Sequence, residues 1–319
     1  MPIEIDHTLS FRYDGFVRES RMELRAEPLT NEHQTVHSFV LAVGPSARVQ
    51  RYRDWNGNWV HHFGISDYHD HIELRARSLV ATRAPQVAWD AIDEPAPEPG
   101  ALGPLLDFVR FDGPVHRSSL LESFAAGVPR GASAGLADQV AAVGAHVRER
   151  FDYEVAATDW RSSTEDFLAR GAGVCQDFAH LMLALLRLRG IPCRYVGGYL
   201  HEEGRASSQG HAWIEAFTRA QGWLGFDPTH SCLPNERYVA VAVGRHYDDV
   251  APNRGIYRGS AGERLESTVV TRIAERRDVA GLHEEIASID VPVFRQLPAR
   301  AVASALEEPK LEQQQQQQQ

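Results

Sequence analysis

The chain has 319 residues, 43% of them hydrophobic and 24% charged, a composition typical of a globular protein with room for two or three domains. Its formal net charge of -10, without any run of Lys or Arg, argues against binding to nucleic acid or to an anionic membrane surface. The sequence has no recognisable signal peptide and no apolar stretch of the roughly 20 residues that a membrane helix needs. Three cysteines without CxxC spacing predict free thiols and a cytoplasmic location.

Residues 1–84 have the pattern of an antiparallel β-sandwich. Apolar residues alternate with polar or charged ones in Ser20–Glu27 and again in His71–Leu79, as in strands with one buried face. Asn56 and Gly57 form the strongest short signal for a β-hairpin, and a β-rich segment lies on each side of them.

Aromatic and histidine side chains are concentrated around this predicted hairpin. Two interpretations are open, a metal or ligand site and ordinary cross-strand packing. Packing is favoured because no spacing of carboxylate and histidine here matches a known ligand pattern. The residues concerned are Trp55, Trp59, His61, His62, His69 and His71.

A linker is predicted over residues 85–104, where five prolines alternate with acidic residues. Residues 105–273 are then predicted to hold a second domain of helices and strands. Residues 274–319 form a C-terminal extension that ends in seven glutamines. The linker prolines are Pro85, Pro95, Pro97, Pro99 and Pro104.

The clearest helix in the second domain is predicted over Gln176–Arg189, directly after Cys175. Gly190 ends it and Pro192 prevents its continuation. A cysteine at a helix start lies beside unpaired N–H groups that carry partial positive charge, a position that favours the thiolate. The apolar residues at three- and four-residue spacing are Phe178, Leu181, Met182, Leu185, Leu186 and Leu188.

A histidine and an aspartate lie on two strands that a short turn should join into a hairpin. The strands are His211–Phe217 and Trp223–Asp227. If Phe217 pairs with Gln221, His211 lies directly opposite Asp227, with Cβ atoms about 5 Å apart. A thiol nucleophile needs a base, and the base needs a group that orients it. Cys175, His211 and Asp227 therefore form a candidate catalytic triad.

Five segments read RGAGVCQDFAH (170–180), GIPCRYVGGY (190–199), GHAWIE (210–215), GFDPT (225–229) and VAVGRHYDDV (241–250). Together they closely resemble the motifs of the bacterial transglutaminase-like superfamily. The β-rich residues 1–84 look like the N-terminal domain that accompanies this core in bacterial members. The resemblance implies an α+β protein with a papain-like core and Cys175, His211 and Asp227 as the triad. Nothing resembles the calcium sites of the long animal enzymes, so it implies no cofactor and no metal.

We therefore expect a cysteine-dependent amide hydrolase that forms a thioester with a peptide or protein substrate. The Cys175 backbone N–H is one predicted oxyanion donor, and Tyr153 and Gln176 are candidates for the second. Trp213 and Trp223 are candidates to line the substrate cleft.

Three alternatives stay open at this point. The superfamily includes transglutaminases and other amine acyltransferases, and it includes members that have lost catalysis and act as interaction modules. The third alternative is a zinc site built from His201, His211 and Asp227, which lacks a recognised ligand spacing.

Overall fold

The computed structural model describes residues 1–85, 92, 94, 95, 102–129, 131, 135–155, 157–204 and 210–274. The fold is α+β, as predicted. Most of the predicted linker (85–104) and nearly all of the C-terminal extension (274–319) lie outside the described residues. Within the described residues, no helix is both long and apolar enough to cross a membrane.

The N-terminal strands are β1 (Pro2–Leu24), β2 (Gln34–Gly44), β3 (Gln50–Arg53), β4 (Trp59–Ile65) and β5 (His69–Thr82). A 3-10 helix (Gly103–Val109) precedes α1 (Ser119–Ala125), α2 (Leu136–Arg150), β6 (Asp152–Tyr153), α3 (Thr164–Arg170), β7 (Ala172–Gly173) and α4 (Cys175–Leu188). The remaining elements are β8 (Cys193–Leu200), β9 (His211–Thr218), β10 (Gly222–Phe226), β11 (Tyr238–Gly244), α5 (Tyr247–Val250), β12 (Asn253–Arg258) and β13 (Glu263–Ile273).

One long strand, β1, organises the N-terminal sheet, whose strand order is β2-β5-β1-β4-β3. The first half of β1 pairs with β5 and β13, and the second half pairs with β4 and β12. Apolar side chains from both halves meet in one core, which explains the alternation in the sequence. That core includes Leu9, Phe11, Met22, Leu24, Phe63, Ile72 and Leu74.

The last two strands correct the predicted domain boundary. Residues 105–273 were expected to form the second domain, but β12 and β13 pair with β1 and complete the N-terminal sheet. The sequence pattern indicates that residues 266–272 form a strand, but it carries no information about which sheet that strand joins.

The second domain is built on an antiparallel sheet with the order β10-β9-β8-β11. Helix α4 packs on one face of this sheet, against side chains of β8 and β9. On the opposite face, Trp213, Tyr238 and Val196 pack together with Leu29 from the N-terminal domain. The sheet therefore carries the cysteine helix on one side and contacts the N-terminal domain on the other.

Two side-chain amides of the N-terminal domain bind the free edge of β11. The amide of Gln34 accepts from the N–H and donates to the C=O of Ala240, both at 2.8 Å. Asn58 makes the same pair of bonds with Val243, again at 2.8 Å. Because these amides satisfy backbone groups as a further strand would, they fix the two domains against each other.

Candidate active site

Cys175 is the first residue of α4 and is partly exposed. The turn before it is fixed by Asp177, whose carboxylate accepts from the backbone N–H of Val174 at 2.8 Å and from the hydroxyl of Thr158 at 2.5 Å. Gly173 leaves space for this carboxylate, since a Cβ there would lie 2.6 Å from its oxygen. The sequence around the cysteine thus sets where the helix begins and where the sulfur lies.

His211 is the first residue of β9, and its Nε2 lies 2.7 Å from Oδ2 of Asp227. The Cys175 thiol is within hydrogen-bonding reach of the same ring. Because Nε2 is bonded to Asp227, Nδ1 is the nitrogen left to face the sulfur. The fold therefore brings together the three residues that the sequence singled out.

The predicted register of the hairpin was wrong by one residue on each strand. Trp223 pairs with Phe217, and Gly222 pairs with Thr218, so the three-residue loop lies one position later than expected. Gly222 has φ +73°, a conformation that glycine adopts without strain, and the Thr218 hydroxyl donates to its carbonyl at 3.0 Å. Asp227 is consequently diagonal to His211 and not directly opposite it. The two remain on one face, because this shift preserves the alternation.

The charges of this pair follow from its surroundings. Burial by itself lowers the pKa of His211, but the hydrogen bonds and charges of Asp227 and Cys175 raise it to about 10. Burial raises the pKa of Asp227, and the hydrogen bonds from His211 and His230 outweigh it and hold the pKa well below its usual range. The site thus favours an imidazolium beside an ionised carboxylate.

Asp227 is fully buried and is surrounded by donors. Besides His211, its Oδ2 accepts from the Tyr238 hydroxyl and from Nδ1 of His230, each at 2.8 Å. Its Oδ1 accepts from the backbone N–H groups of Thr229 at 2.8 Å and His230 at 3.3 Å. Five donors leave this carboxylate a single orientation toward His211.

Sequence reasoning missed the two side chains that share Oδ2 with His211. His230 follows Asp227 by three residues, a spacing that a tight turn brings back onto an aspartate, and this signal was available. Tyr238 begins a strand eleven residues away, and nothing local in the sequence connects it to the carboxylate.

The two candidates for the second oxyanion donor have different surroundings. Gln176 is buried, and its side-chain amide donates to the carbonyl of Trp160 at 3.2 Å. Tyr153 is 48% exposed, and its ring lies 6.3 Å from that of Phe178. Gln176 directly follows Cys175, and its amide has a second N–H to donate.

Neither tryptophan lines an open cleft beside His211, contrary to expectation. Trp213 is 3% exposed and packs edge-on against Tyr238 at 5.3 Å, which puts it beneath the triad. Trp223 pairs with Phe217 at the far end of the hairpin, six residues or roughly 20 Å along the strand from His211. Its ring contacts Phe108 and the guanidinium of Arg194.

The three residues of the predicted zinc alternative, His201, His211 and Asp227, are not brought together. His201 bonds to the hydroxyl of Thr271 at 2.9 Å. Among the described residues, the ligand atoms that come within 4.8 Å of one another belong to His211, Asp227 and His230. Since both histidines already bond to Asp227, the arrangement is accounted for as a hydrogen-bond network around this carboxylate.

Comparison with known proteins agrees with this fold. The Transglutaminase-like superfamily model matches residues 122–228, and that of the Bacterial transglutaminase-like N-terminal region matches residues 3–81. An uncharacterized protein of Mycobacterium leprae is 33% identical over 85% of this chain and 99% of its own length. The crystal structure of a candidate cysteine protease from Cytophaga hutchinsonii superposes with a TM-score of 0.71 at 20% identity, covering 93% of this chain and 94% of that one.

A shorter match relates part of this chain to a protein with a named activity. The protein-glutamine gamma-glutamyltransferase of Pseudomonas aeruginosa is 33% identical over 113 residues, which are 30% of this chain and 17% of that one. The fold, the family models and the full-length relative together define the class: this chain belongs to the transglutaminase-like superfamily and carries the bacterial N-terminal region.

Proposed function

We propose that this protein is a cysteine-dependent amide hydrolase that cleaves peptide or protein substrates through Cys175, His211 and Asp227. The observation that carries the proposal is the His211–Asp227 hydrogen bond of 2.7 Å beneath a partly exposed thiol at a helix start. Burial, a charged partner and a cysteine in reach give His211 the properties of the base in such a triad.

In the first half of the reaction, the Cys175 thiolate attacks the amide carbonyl carbon and the carbonyl π electrons move to oxygen. The backbone N–H of Cys175 and the side-chain amide of Gln176 stabilise the oxyanion. When the oxyanion collapses, the C–N bond breaks, His211 gives its proton to the leaving amine, and a thioester remains on the sulfur.

In the second half, water attacks the thioester while His211 takes its proton. Collapse of the second oxyanion breaks the C–S bond, which releases the carboxylic acid and restores the thiolate beside the imidazolium. Throughout, Asp227 acts as a positioning residue that orients the ring and stabilises its charge.

A protein-glutamine acyltransferase is the second candidate. The local match of 33% identity over 113 residues to the Pseudomonas aeruginosa gamma-glutamyltransferase favours it. In this reaction a lysine amine replaces water in the second half, and the rest of the chemistry is unchanged. Hydrolysis remains our preference, because water needs no separate acceptor site.

The test compares wild type with Cys175→Ala on a glutamine-containing protein, with and without a fluorescent amine. Hydrolysis predicts cysteine-dependent release of ammonia or new termini and little amine incorporation. Amine incorporation that disappears in Cys175→Ala would replace the hydrolase by the acyltransferase. Cys193→Ala is the matched control, since Cys193 is fully buried below α4 and should leave the chemistry intact.

The third candidate, a catalytically idle interaction module, predicts that no cysteine is activated. Iodoacetamide labelling near neutral pH decides this point. If Cys175 labels no faster than the similarly part-exposed Cys232, the activated thiolate and the enzymatic proposal both fail. A cytoplasmic location remains part of the proposal, supported by three free thiols that suit a reducing compartment.

A further inference from the structure

The N-terminal domain contains a groove of about 600 Å³ between its two terminal strands, β2 and β3. Phe39 and Leu41 of β2 supply apolar lining on one side. Arg51 and Arg53 of β3, with Trp59 of β4, supply the other side. This volume lies within the range of pockets that bind ligands or peptide side chains.

The backbone beside the groove is available for pairing. In the part of the chain that the structure describes, β2 pairs only with β5, and β3 pairs only with β4. Each of the two strands therefore has one edge without a strand partner, although on β2 the Val36 N–H donates to the Thr30 hydroxyl and the Gln34 carbonyl accepts from Asn31. Proteins use such edges to bind extended peptides by adding a strand.

The charges along the groove leave a positive group without an acidic partner. The guanidinium of Arg51 binds both carboxylate oxygens of Glu27, and His61 binds the same carboxylate at 3.3 Å. Although burial raises the pKa of Glu27, the hydrogen bonds from His61 and Arg51 bring it below its usual value, so the carboxylate stays ionised and balances Arg51. Arg53 is exposed and has no carboxylate within 4.0 Å among the described residues.

Arg53 is nevertheless held in place. Its guanidinium carbon lies 3.9 Å from the ring centroid of Trp59. The guanidinium carbon of Arg51 packs on the same ring, at 3.2 Å from its centroid. The Arg53 side chain donates to the backbone carbonyl of Gly57 at the hairpin turn. A fixed cation loses little conformational entropy when it binds an anion, so this side of the groove is organised for a carboxylate.

The groove is also close to the triad. Glu27 and Thr30 line it, and Leu29 between them packs on the face of the second sheet that holds Trp213. The backbone N–H of Leu29 donates to Ala240 at 3.0 Å, Ala240 pairs with Gly198, and Gly198 pairs with His211. Three interstrand steps of about 5 Å each place the backbone of Leu29 roughly 15 Å from that of His211. An extended chain covers that distance in four or five residues.

We infer that this groove, defined by β2, β3 and residues 27–30, binds an extended acidic segment of the peptide or protein substrate, four to six residues from the amide that Cys175 attacks. This inference rests on the proposed function, because it makes the groove part of substrate recognition. Arg53 pairs with a substrate carboxylate, the apolar lining accepts alternate side chains, and the strand edge bonds the substrate backbone. The groove thereby selects substrates by a feature remote from the scissile bond.

The experiment measures binding of fluorescein-labelled 13-residue peptides to the full chain carrying Cys175→Ala, by fluorescence anisotropy. Each probe has a central glutamine and two glutamates that begin five residues away, on the N-terminal side in one probe and on the C-terminal side in another. Matched probes carry lysines in place of the glutamates. One glutamate probe should bind about tenfold more tightly than its lysine counterpart.

Arg53→Glu, added to Cys175→Ala, should abolish that preference. The matched control is Arg18→Glu, an arginine of the same domain that is 43% exposed in its side chain, packs over Tyr68 and lies outside the groove. If Arg53→Glu binds the probes as Arg18→Glu does, or if the lysine probes bind equally well, the inference is overturned.

N-methylation of alternate amides in the acidic segment should weaken binding about tenfold, and unchanged binding would refute strand pairing.

Three further outcomes separate the possible failures. Displacement of the probe by millimolar succinate would show a site for small carboxylates and would overturn the peptide as occupant. Hydrolysis of a short glutamine peptide that depends on Cys175, without any Arg53 effect on probe binding, refutes the groove but not the enzyme. Arg53-dependent binding without Cys175-dependent turnover refutes the proposed function and leaves the groove as a peptide-binding site only.

Discussion

Two enclosed histidines, one on the cysteine helix and one at the start of β9, have opposite properties. His180, on α4 itself, is 1% exposed, and burial together with the positive charges of His246 and Arg187 lowers its pKa to about 3. His211 is almost as deeply enclosed, yet its pKa is raised to about 10. Burial alone produces a neutral imidazole, and a carboxylate with a thiol in reach produces a cation. The comparison shows that the charge of an enclosed imidazole is set by its partners and not by how deeply it is buried.

This difference also excludes His180 as a second base. It lies five residues after Cys175 on the helix, and its Nε2 accepts the backbone N–H of Tyr247 at 3.1 Å. Its role is to bind the segment that begins α5 to the core, while of these two histidines only His211 bonds to Asp227. The following predictions test whether the charge of each histidine is set by its partners or by its burial.

The largest effect is expected from Asp227→Asn, which gives His211 surroundings closer to those of His180. Without the carboxylate, the imidazolium loses its counter-charge and the ring loses its orienting acceptor. We expect Cys175-dependent amide hydrolysis to fall about 10⁴-fold. Glu215→Gln is the control. Glu215 lies on the same strand as His211, and its carboxylate forms an ion pair with Arg194 at 2.6 Å. An unchanged rate in Asp227→Asn would remove Asp227 from the triad.

The second test uses the opposite pH dependence of the two histidines. His211 has a raised pKa in the folded state, so its stabilisation is fully present below about pH 6.5 and is lost as the pH rises through about 10. His211→Gln should therefore cost more stability at pH 6.5 than at pH 10. Urea unfolding at the two pH values measures this, and an equal cost at both would show that the ring is not charged in the native state.

For His180 the sign is reversed. Its folded pKa of about 3 means that the unfolded chain binds the extra proton between about pH 3 and 6.5, so stability increases with pH across that window. His180→Gln keeps an acceptor for Tyr247 and should flatten this increase, by at most about 1.4 kcal/mol per pH unit. Burial also lowers the pKa of His7, to about 4. Since His7 is present in both proteins, it leaves a residual increase of stability with pH in the variant. A slope identical to that of wild type would contradict the expectation.

A smaller effect is expected from Tyr238→Phe, which removes one of the donors to Asp227. The ring still packs on Trp213, so the variant should fold, but the carboxylate loses a hydrogen bond of 2.8 Å. We expect kcat to fall about tenfold with KM little changed. Tyr199→Phe is the control, since its hydroxyl bonds to His7 at 2.9 Å, away from the triad. Equal rates in both variants would show that Tyr238 does not act through Asp227.

The parts of the molecule that could be predicted from the sequence are those with local causes. Helical spacing after Cys175 predicts α4, and alternation predicts the buried faces of β1 and β5. The register of the β9–β10 hairpin is set by Gly222 and the Thr218 side chain at the turn, and this signal was misread by one position on each strand.

What could not be predicted depends on contacts between distant segments. The pairing of β12 and β13 with β1 joins residues more than 200 positions apart, and no local pattern specifies it. The same is true of Tyr238, which lies on β11 and bonds to Asp227 although β8 separates β11 from the β9–β10 hairpin. Trp213 was misassigned because an alternating strand pattern does not show which face the neighbouring domain covers.

The double pairing of β1 has a consequence for how the protein is made. The chain leaves the N-terminal sheet after β5, builds the transglutaminase-like core, and returns to add β12 and β13. On the ribosome, β1 is therefore synthesised well before β12 and β13 and acquires these partners after nearly 250 further residues. Until then one edge of the longest strand stays open as a template for wrong pairing. The N-terminal sheet is thus completed only after the transglutaminase-like core has been synthesised.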